Sequence, residues 1–501
     1  MLAFLGFDTA SLPLVERMLE AGRLPTLAAL RERGQWSPLE RPGMHVEAGA
    51  YQTLYSGKAL GEHGLYFPFQ WSAAEQRLRY IHSFSAPPAL WERLAAAGRR
   101  SLVVDPYEAR LPERTAGVHL SGWQFVNRFV LPTWTAPRGV RRRLVRRLGR
   151  PPLVEEVFGR PTLSGLRELR RRLVGAPGRA ANAVVELLAS ERFDLLWVNL
   201  PAPHVAGHRL WDVSQLPDVG ADARREFADA VAEVYEAADA ALGKIVSALP
   251  AGTDIVLFSP SGMGPNTSRA DLLPQMLEAV LGAGSTRKEE ASTGSAIWRL
   301  RAAVPTSLRA GFARALPKRV LFELSARLEL SGADWSRTRA FPLPSDGTGY
   351  VRLNLRGRER EGVVDPSEAD ALIDEIATGL ETFNDPDGSP AVTGVERTAP
   401  LVGDAPHADR LPDLVVHWSD RPSAALSGVS SPVHGDVIRR GGGTGRTGHH
   451  TAEAWALLVP GRSEPRKLSR PPHIVDLAAT ACALAGSDED GLPGESLFEF
   501  A

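Results

Sequence analysis

The sequence predicts an α/β protein built on a doubly wound, mostly parallel sheet with helical insertions. Two observations carry this expectation. Short runs of uninterrupted apolar residues recur along the chain, and amphipathic stretches lie between them. A run that is apolar at every position, and not at alternate ones, marks a strand buried on both faces. Strand followed by helix, repeated, is the pattern of a parallel sheet with crossover helices. The 501 residues allow one large α/β domain with insertions, or about three units at ~150 residues each.

The apolar runs are Leu2 to Phe7, Ser101 to Asp105, Asp194 to Leu200, Asp254 to Phe258, Leu414 to His417 and Ala454 to Val459. After the first comes SLPLVERMLEAG, in which Leu14, Val15, Met18 and Leu19 share a helical face. Gly22 is a natural stop just past its end. From Ala221 to Leu249, Phe227, Val231, Val234, Leu242, Ile245 and Val246 recur at helical spacing, which predicts one long helix packed on the sheet.

Two stretches break the rhythm. The first, residues 131–180, is rich in arginine (Arg141, Arg142, Arg143, Arg146, Arg147, Arg170, Arg171, Arg172) and predicts a helical insertion. Its arginines fit a solvated face better than a phosphate-rich partner site. The second, residues 267–334, carries LPQMLEAVLGAG and VLFELSARLEL, helices placed to cap a site. The core is then divided into residues 1–130, 181–266 and 335–501, the last holding RGGGTGRTGHH, a Gly-rich loop without a phosphate-binding fingerprint.

Composition excludes several classes. Hydrophobic residues make up 43% and charged residues 23%, enough for a large core. Lys plus Arg number 58 against 59 Asp plus Glu, so a net charge of -1 supplies no global field for nucleic acid or an anionic membrane. The single Cys482 forms no internal disulfide and no thiolate metal cluster. With no apolar run long enough to span a bilayer and no signal-peptide pattern in LAFLGFD, the expected location is the cytoplasm and the expected partner a small-molecule substrate.

The chemistry-bearing residues fall just beyond expected strands, where open α/β sheets place their sites. Asp8 ends the first strand. His204 and His208 follow DLLWVNL, and their four-residue spacing puts both imidazoles on one face of a helical turn. His450 precedes AWALLV, and His45 and Glu47 lie in RPGMHVEAGAYQTLYSG. Two histidines at i and i+4 with a remote third match the ligand set of a catalytic zinc-type site with an open position. Imidazole also suits other transition metals. A carboxylate such as Glu47 or Asp8 completes the shell or serves as general base.

The chain resembles the alkaline phosphatase superfamily, in its type I phosphodiesterase and nucleotide pyrophosphatase branch. The likeness rests on GFDTASLPLVERMLEAGRLPTLAALRERG, on SGKALGEHGLY against the family's TG-x-x-P-x-x-HG, on FDLLWVNLPAPHVAGHRLW against a strand with D-x-x-x-H, and on DIVLFSPSGMG against a strand with S-D-H-G. It continues through LPDLVVHW, GHHTAEAWALLVPG and HIVDLAATACALAG. The resemblance implies an alkaline-phosphatase type of fold, two metal ions and a Thr or Ser nucleophile. By position, Asp8 matches a ligand of one metal, and His208 and His450 match ligands of the other. The nucleophile position holds Glu47, His204 stands where the family has Asp, and Pro260 and Ser261 replace the Asp and His of S-D-H-G.

These departures remove one half of a two-metal clamp and leave a ligand set for a single ion. The expectation is therefore a mononuclear metal-dependent enzyme that hydrolyses a phosphate or related ester by metal-bound hydroxide. His204, His208, His450 and Glu47 are the expected ligands of one divalent transition metal, zinc before iron or manganese. Glu47 and Asp8 are the expected catalytic carboxylates. The same centre could run a lyase, isomerase or oxygen-dependent reaction, and a catalytically silent binding protein is the rival of another class. Ser261 is a minor candidate nucleophile. A third expectation keeps a phosphodiesterase whose missing ligands come from His45, His449, Asp254 or Asp271.

Overall fold

The computed structural model describes residues 1–40, 49–126, 133–154, 161–216, 219–282, 334–345, 347–439, 444–468, 470–486 and 491–500. An eight-stranded sheet runs through its centre in the spatial order Gln35–Pro38, Trp455–Val459, Asp254–Ser259, Leu2–Phe7, Leu195–Leu200, Ser101–Val104, Gly117–Ser121 and Trp134–Ala136. From Asp254–Ser259 across to Gly117–Ser121 the neighbours pair in parallel. The antiparallel pairings are confined to the two edges.

Every residue of Leu2–Phe7, Leu195–Leu200 and Asp254–Ser259 is buried. Helices cover both faces of these strands, and that is why their sequences are apolar at every position. Each Leu, Val or Phe taken fully out of water here contributes about 1.5–3 kcal/mol.

The long helix Leu163–Ser190 buries Leu173, Ala176, Ala180, Val184 and Leu187. It packs on Ala230–Ala248 and runs uninterrupted through residue 180. Its arginines are engaged at the surface: Arg170 with Glu233, Arg167 with Glu226, and Arg171 and Arg172 with Glu168. Shorter and just ahead of it, helix Arg138–Leu148 turns Val140 and Leu144 inward.

Two expected elements come out differently. The helix expected from Ala221 to Leu249 is two helices, Ala221–Phe227 and Ala230–Ala248. The break frees backbone carbonyls, and Arg170 Nη1 donates to one of them, Glu226 O, at 2.8 Å. The run Leu414 to His417 is a strand, Leu414–Trp418, of a separate antiparallel sheet with Ala340–Leu343, Gly349–Leu353 and Val392–Arg397. Leu414, Val416 and Trp418 face a core shared with helices Leu273–Leu281 and Ala369–Leu380. Val415 faces a third cluster around Tyr66, Trp71 and Tyr350. Cover on both faces makes an antiparallel strand read like a parallel one.

Helix Leu273–Leu281, from LPQMLEAVLGAG, packs on this second sheet. VLFELSARLEL lies outside the described residues.

Candidate metal centre

Strand Leu195–Leu200 passes through Pro201 directly into helix Ala202–Leu210. His204 and His208 therefore project from one helical face at the carboxyl end of the sheet. His450 arrives from elsewhere, on the short strand Gly448–Thr451, which pairs antiparallel with Gly262–Pro265 and sets His450 opposite Met263. Two glycines let this strand pair approach the helix. A Cβ on Gly448 would overlap the Gly207 carbonyl oxygen, and a Cβ on Gly207 would come within 2.6 Å of Met263 Cγ.

The three Nε2 atoms form a near-equilateral triangle. His204 to His208 is 3.0 Å, His450 to His204 is 3.0 Å and His450 to His208 is 2.9 Å. His204 and His208 are buried, and His450 is half-buried. His208 Nδ1 donates to Gly448 O at 3.0 Å, so its proton sits on Nδ1 and its Nε2 offers a lone pair. His204 Nδ1 faces Asp8 Oδ2 at 3.3 Å, which holds a proton on that nitrogen too. Burial pushes the pKa of His208 well below 6.5, with the Arg446 charge and the two neighbouring histidines adding to it, so the ring is neutral. Two inward lone pairs cannot be bridged to each other by a proton neither nitrogen carries. The donor set fits a cation that accepts all three.

Asp8 follows strand Leu2–Phe7 and is wholly buried. One of its oxygens serves His204. The other, Oδ1, accepts the hydroxyl of Tyr51, which is carried on helix Ala50–Ser56, and the hydroxyl of Thr9 at 3.3 Å. Thr9 has φ +54°, a left-handed conformation that strains a β-branched residue by about 1–3 kcal/mol and tends to persist where function requires it. Thr9 Oγ1 lies 3.2 Å from Ser261 Oγ, and Ser259 Oγ ties the same turn down by accepting from Ala10 N at 2.8 Å and donating to Ser261 O at 2.9 Å. Hydroxyl groups thus surround Asp8 on the side of Pro260 and Ser261. The Tyr107 ring lies against His204, with centroids 4.6 Å apart.

Of the sequence candidates, the structure gathers His204, His208, His450 and Asp8, with Ser261 one hydroxyl removed from Asp8 through Thr9. Glu47 and His45 lie outside the described residues. His449 is buried with its ring 6.0 Å from that of His450. Strand alternation sends adjacent side chains to opposite faces.

Asp254 and Asp271 are not replacement ligands. Asp254 opens its strand opposite Leu2, at the far end of the sheet from Asp8, and its Oδ1 caps a turn by accepting from the backbone of Gly461, Arg462 and Ser463. Asp271 pairs with Arg439 at 2.7 Å. Tyr51, Tyr107 and the Gly207–Gly448 contact were not legible from spacing, because each acts across segments distant in sequence.

The family model of type I phosphodiesterase / nucleotide pyrophosphatase matches residues 2–437. Phosphonoacetate hydrolase from Sinorhizobium meliloti 1021, solved in complex with phosphonoformate, is similar over 97% of this chain and 95% of that one, at 15% identity and a TM-score of 0.51. Murine ectonucleotide pyrophosphatase / phosphodiesterase 5 is similar over 99% of both chains, at 10% identity and a TM-score of 0.48. No curated protein sequence matches the chain. The first likeness is one of fold, an alkaline-phosphatase type of α/β architecture. With most of its length covered by the family model, the chain belongs to the type I phosphodiesterase / nucleotide pyrophosphatase family and is a hydrolase of the phosphodiesterase type.

Proposed function

We propose that the protein is a mononuclear, metal-dependent hydrolase of a small phosphate or related ester, with His204, His208 and His450 holding one divalent ion. The observation that carries this is the triangle of Nε2 atoms with edges of 3.0, 3.0 and 2.9 Å. Zinc suits three imidazoles with a position left open, and iron and manganese are the alternatives. When bound, the ion supplies a Lewis acid for the ester oxygen and lowers the pKa of a water.

The chain's own groups do the rest. Asp8 takes the Nδ1 side of His204, and the Gly448 carbonyl takes that of His208, so both rings are oriented with Nε2 turned to the centre. Glu47 is the proposed fourth ligand or general base. A carboxylate there forms no phosphoester of the usual kind and is suited to moving a proton. The single Cys482, buried in helix Asp476–Ala485, fits the cytoplasm. Among the described residues no helix is long and apolar enough to cross a membrane.

The test joins metal analysis to turnover. Protein purified without added metal should carry about one transition metal per chain, and should release nitrophenol from bis(p-nitrophenyl) phosphate or p-nitrophenyl phosphate only with metal bound. A protein that carries none and takes up none overturns the proposal. So does turnover that survives His208→Ala with His450→Ala.

A further inference from the structure

Asp8 is not the end of the chain of contacts behind the three histidines. Tyr51 reaches His204 by two routes. Its hydroxyl donates to Asp8 Oδ1, while Asp8 Oδ2 holds His204 Nδ1 at 3.3 Å. Its ring packs on Tyr107 with centroids 4.9 Å apart, and Tyr107 packs on His204 at 4.6 Å. Tyr51, Asp8, His204 and Tyr107 therefore close a loop of contacts, polar on one side and aromatic on the other. Tyr51 and Tyr107 are both buried, as are Asp8 and His204. Burial, with the Asp8 charge adding to it, pushes the Tyr51 hydroxyl pKa well above 10, so the group donates and does not ionise.

We propose that Tyr51 is a positioning residue of the metal centre, which fixes Asp8 in the rotamer that sets the tautomer of His204 and aims its Nε2 at His208 and His450. This inference rests on the three-histidine reading. Without the Tyr51 hydroxyl, Asp8 Oδ1 keeps only the longer contact from Thr9 Oγ1 at 3.3 Å, the carboxylate is free to turn, and His204 then loses both the partner of its Nδ1 and the orientation of its ring. Outer partners of this kind change metal affinity by about ten- to a hundredfold.

The test uses the full chain in four forms: native, Tyr51→Phe, Asp8→Asn and the double variant. Each is stripped with chelator, checked for folding by its thermal midpoint, and titrated with zinc against a chromophoric competitor. Tyr51→Phe should bind zinc about ten- to a hundredfold more weakly. In the Asp8→Asn background the same change should cost nothing further, because Tyr51 acts through Asp8. The double variant also removes the stranded charge, so it keeps the comparison available if Tyr51→Phe alone folds poorly.

Zinc affinity of Tyr51→Phe within twofold of native overturns the inference. An equal loss in both backgrounds also overturns it, since a merely structural role adds independently of Asp8. If the native chain itself binds no zinc, iron or manganese, the three-histidine reading fails, and the inference falls with it.

Discussion

His204 Nε2 and His450 Nε2 stand 3.0 Å apart across 246 residues of sequence. One is carried by a helix that leaves the central sheet, the other by a two-stranded antiparallel ribbon beside it. Neither element alone could hold an ion, so removing either side should abolish binding. The His208→Ala, His450→Ala double variant should lose the metal found in the native chain, measured by elemental analysis after gel filtration. Retention of one equivalent would place the ion elsewhere.

The glycine at 448 gives a sharper test of the same geometry. Its carbonyl anchors His208 Nδ1, and a methyl group on its Cα would overlap the Gly207 carbonyl oxygen. Gly448→Ala should therefore push the strand pair off the helix. A loss of at least tenfold in zinc affinity is expected while the far-ultraviolet circular dichroism stays native. Unchanged affinity would show that the two elements move together.

Away from the centre, Arg269 and Asp385 form a fully buried ion pair in the unit around the second sheet, with Arg269 Nε 2.9 Å from Asp385 Oδ1. Asp385→Ala strands the guanidinium in a dry site and should cost about 3–5 kcal/mol. Denaturant unfolding measures it. A cost below about 1 kcal/mol would mean that water or a new partner reaches Arg269.

The stability of the metal-free protein should fall as the solution is acidified. Burial lowers the pKa of His63 and His119 to about 3 and that of His82 to about 4. In the unfolded chain these rings take up protons near 6.5. Below that pH the unfolded state binds more protons, and each histidine removes about 1.4 kcal/mol of stability per pH unit until its folded pKa is reached. Asp105 works the other way. Burial raises its pKa to about 6, so the stability it contributes is present below its unfolded value of 3.8 and is lost as pH rises through 6. Burial also raises the pKa of Asp239 and lowers that of His208, so two carboxylates oppose four histidines, and unfolding free energy should be lower at pH 5 than at pH 7 in the presence of chelator. Equal or greater stability at pH 5 would show that these rings are hydrated.

Much of the central sheet was legible because burial on both faces leaves strands with no polar positions, as in Leu2–Phe7 and Leu195–Leu200. The same signal misplaced Leu414–Trp418, whose two faces are covered by two different clusters. The histidines were legible because helical spacing ties His204 to His208 and a strand border marks His450. The partners of Asp8 were not. No periodicity links Tyr51 to a carboxylate 43 residues earlier, and a hydroxyl in AYQTLYS reads as part of an apolar helix. The break near Asp229 is equally silent in sequence.

The position of Trp455–Val459 bears on the order in which the molecule is made. This strand lies between Gln35–Pro38 and Asp254–Ser259, and His450 stands just before it. A ribosome delivers the two older strands first, so the edge segment Gln35–Pro38 has no strand neighbour among the described residues until Trp455–Val459 emerges. The third imidazole is delivered in the same short stretch. Closure of the sheet and completion of the ion site are thus a single late event, and an ion taken up there would act as a clasp on the finished fold, never on the nascent one.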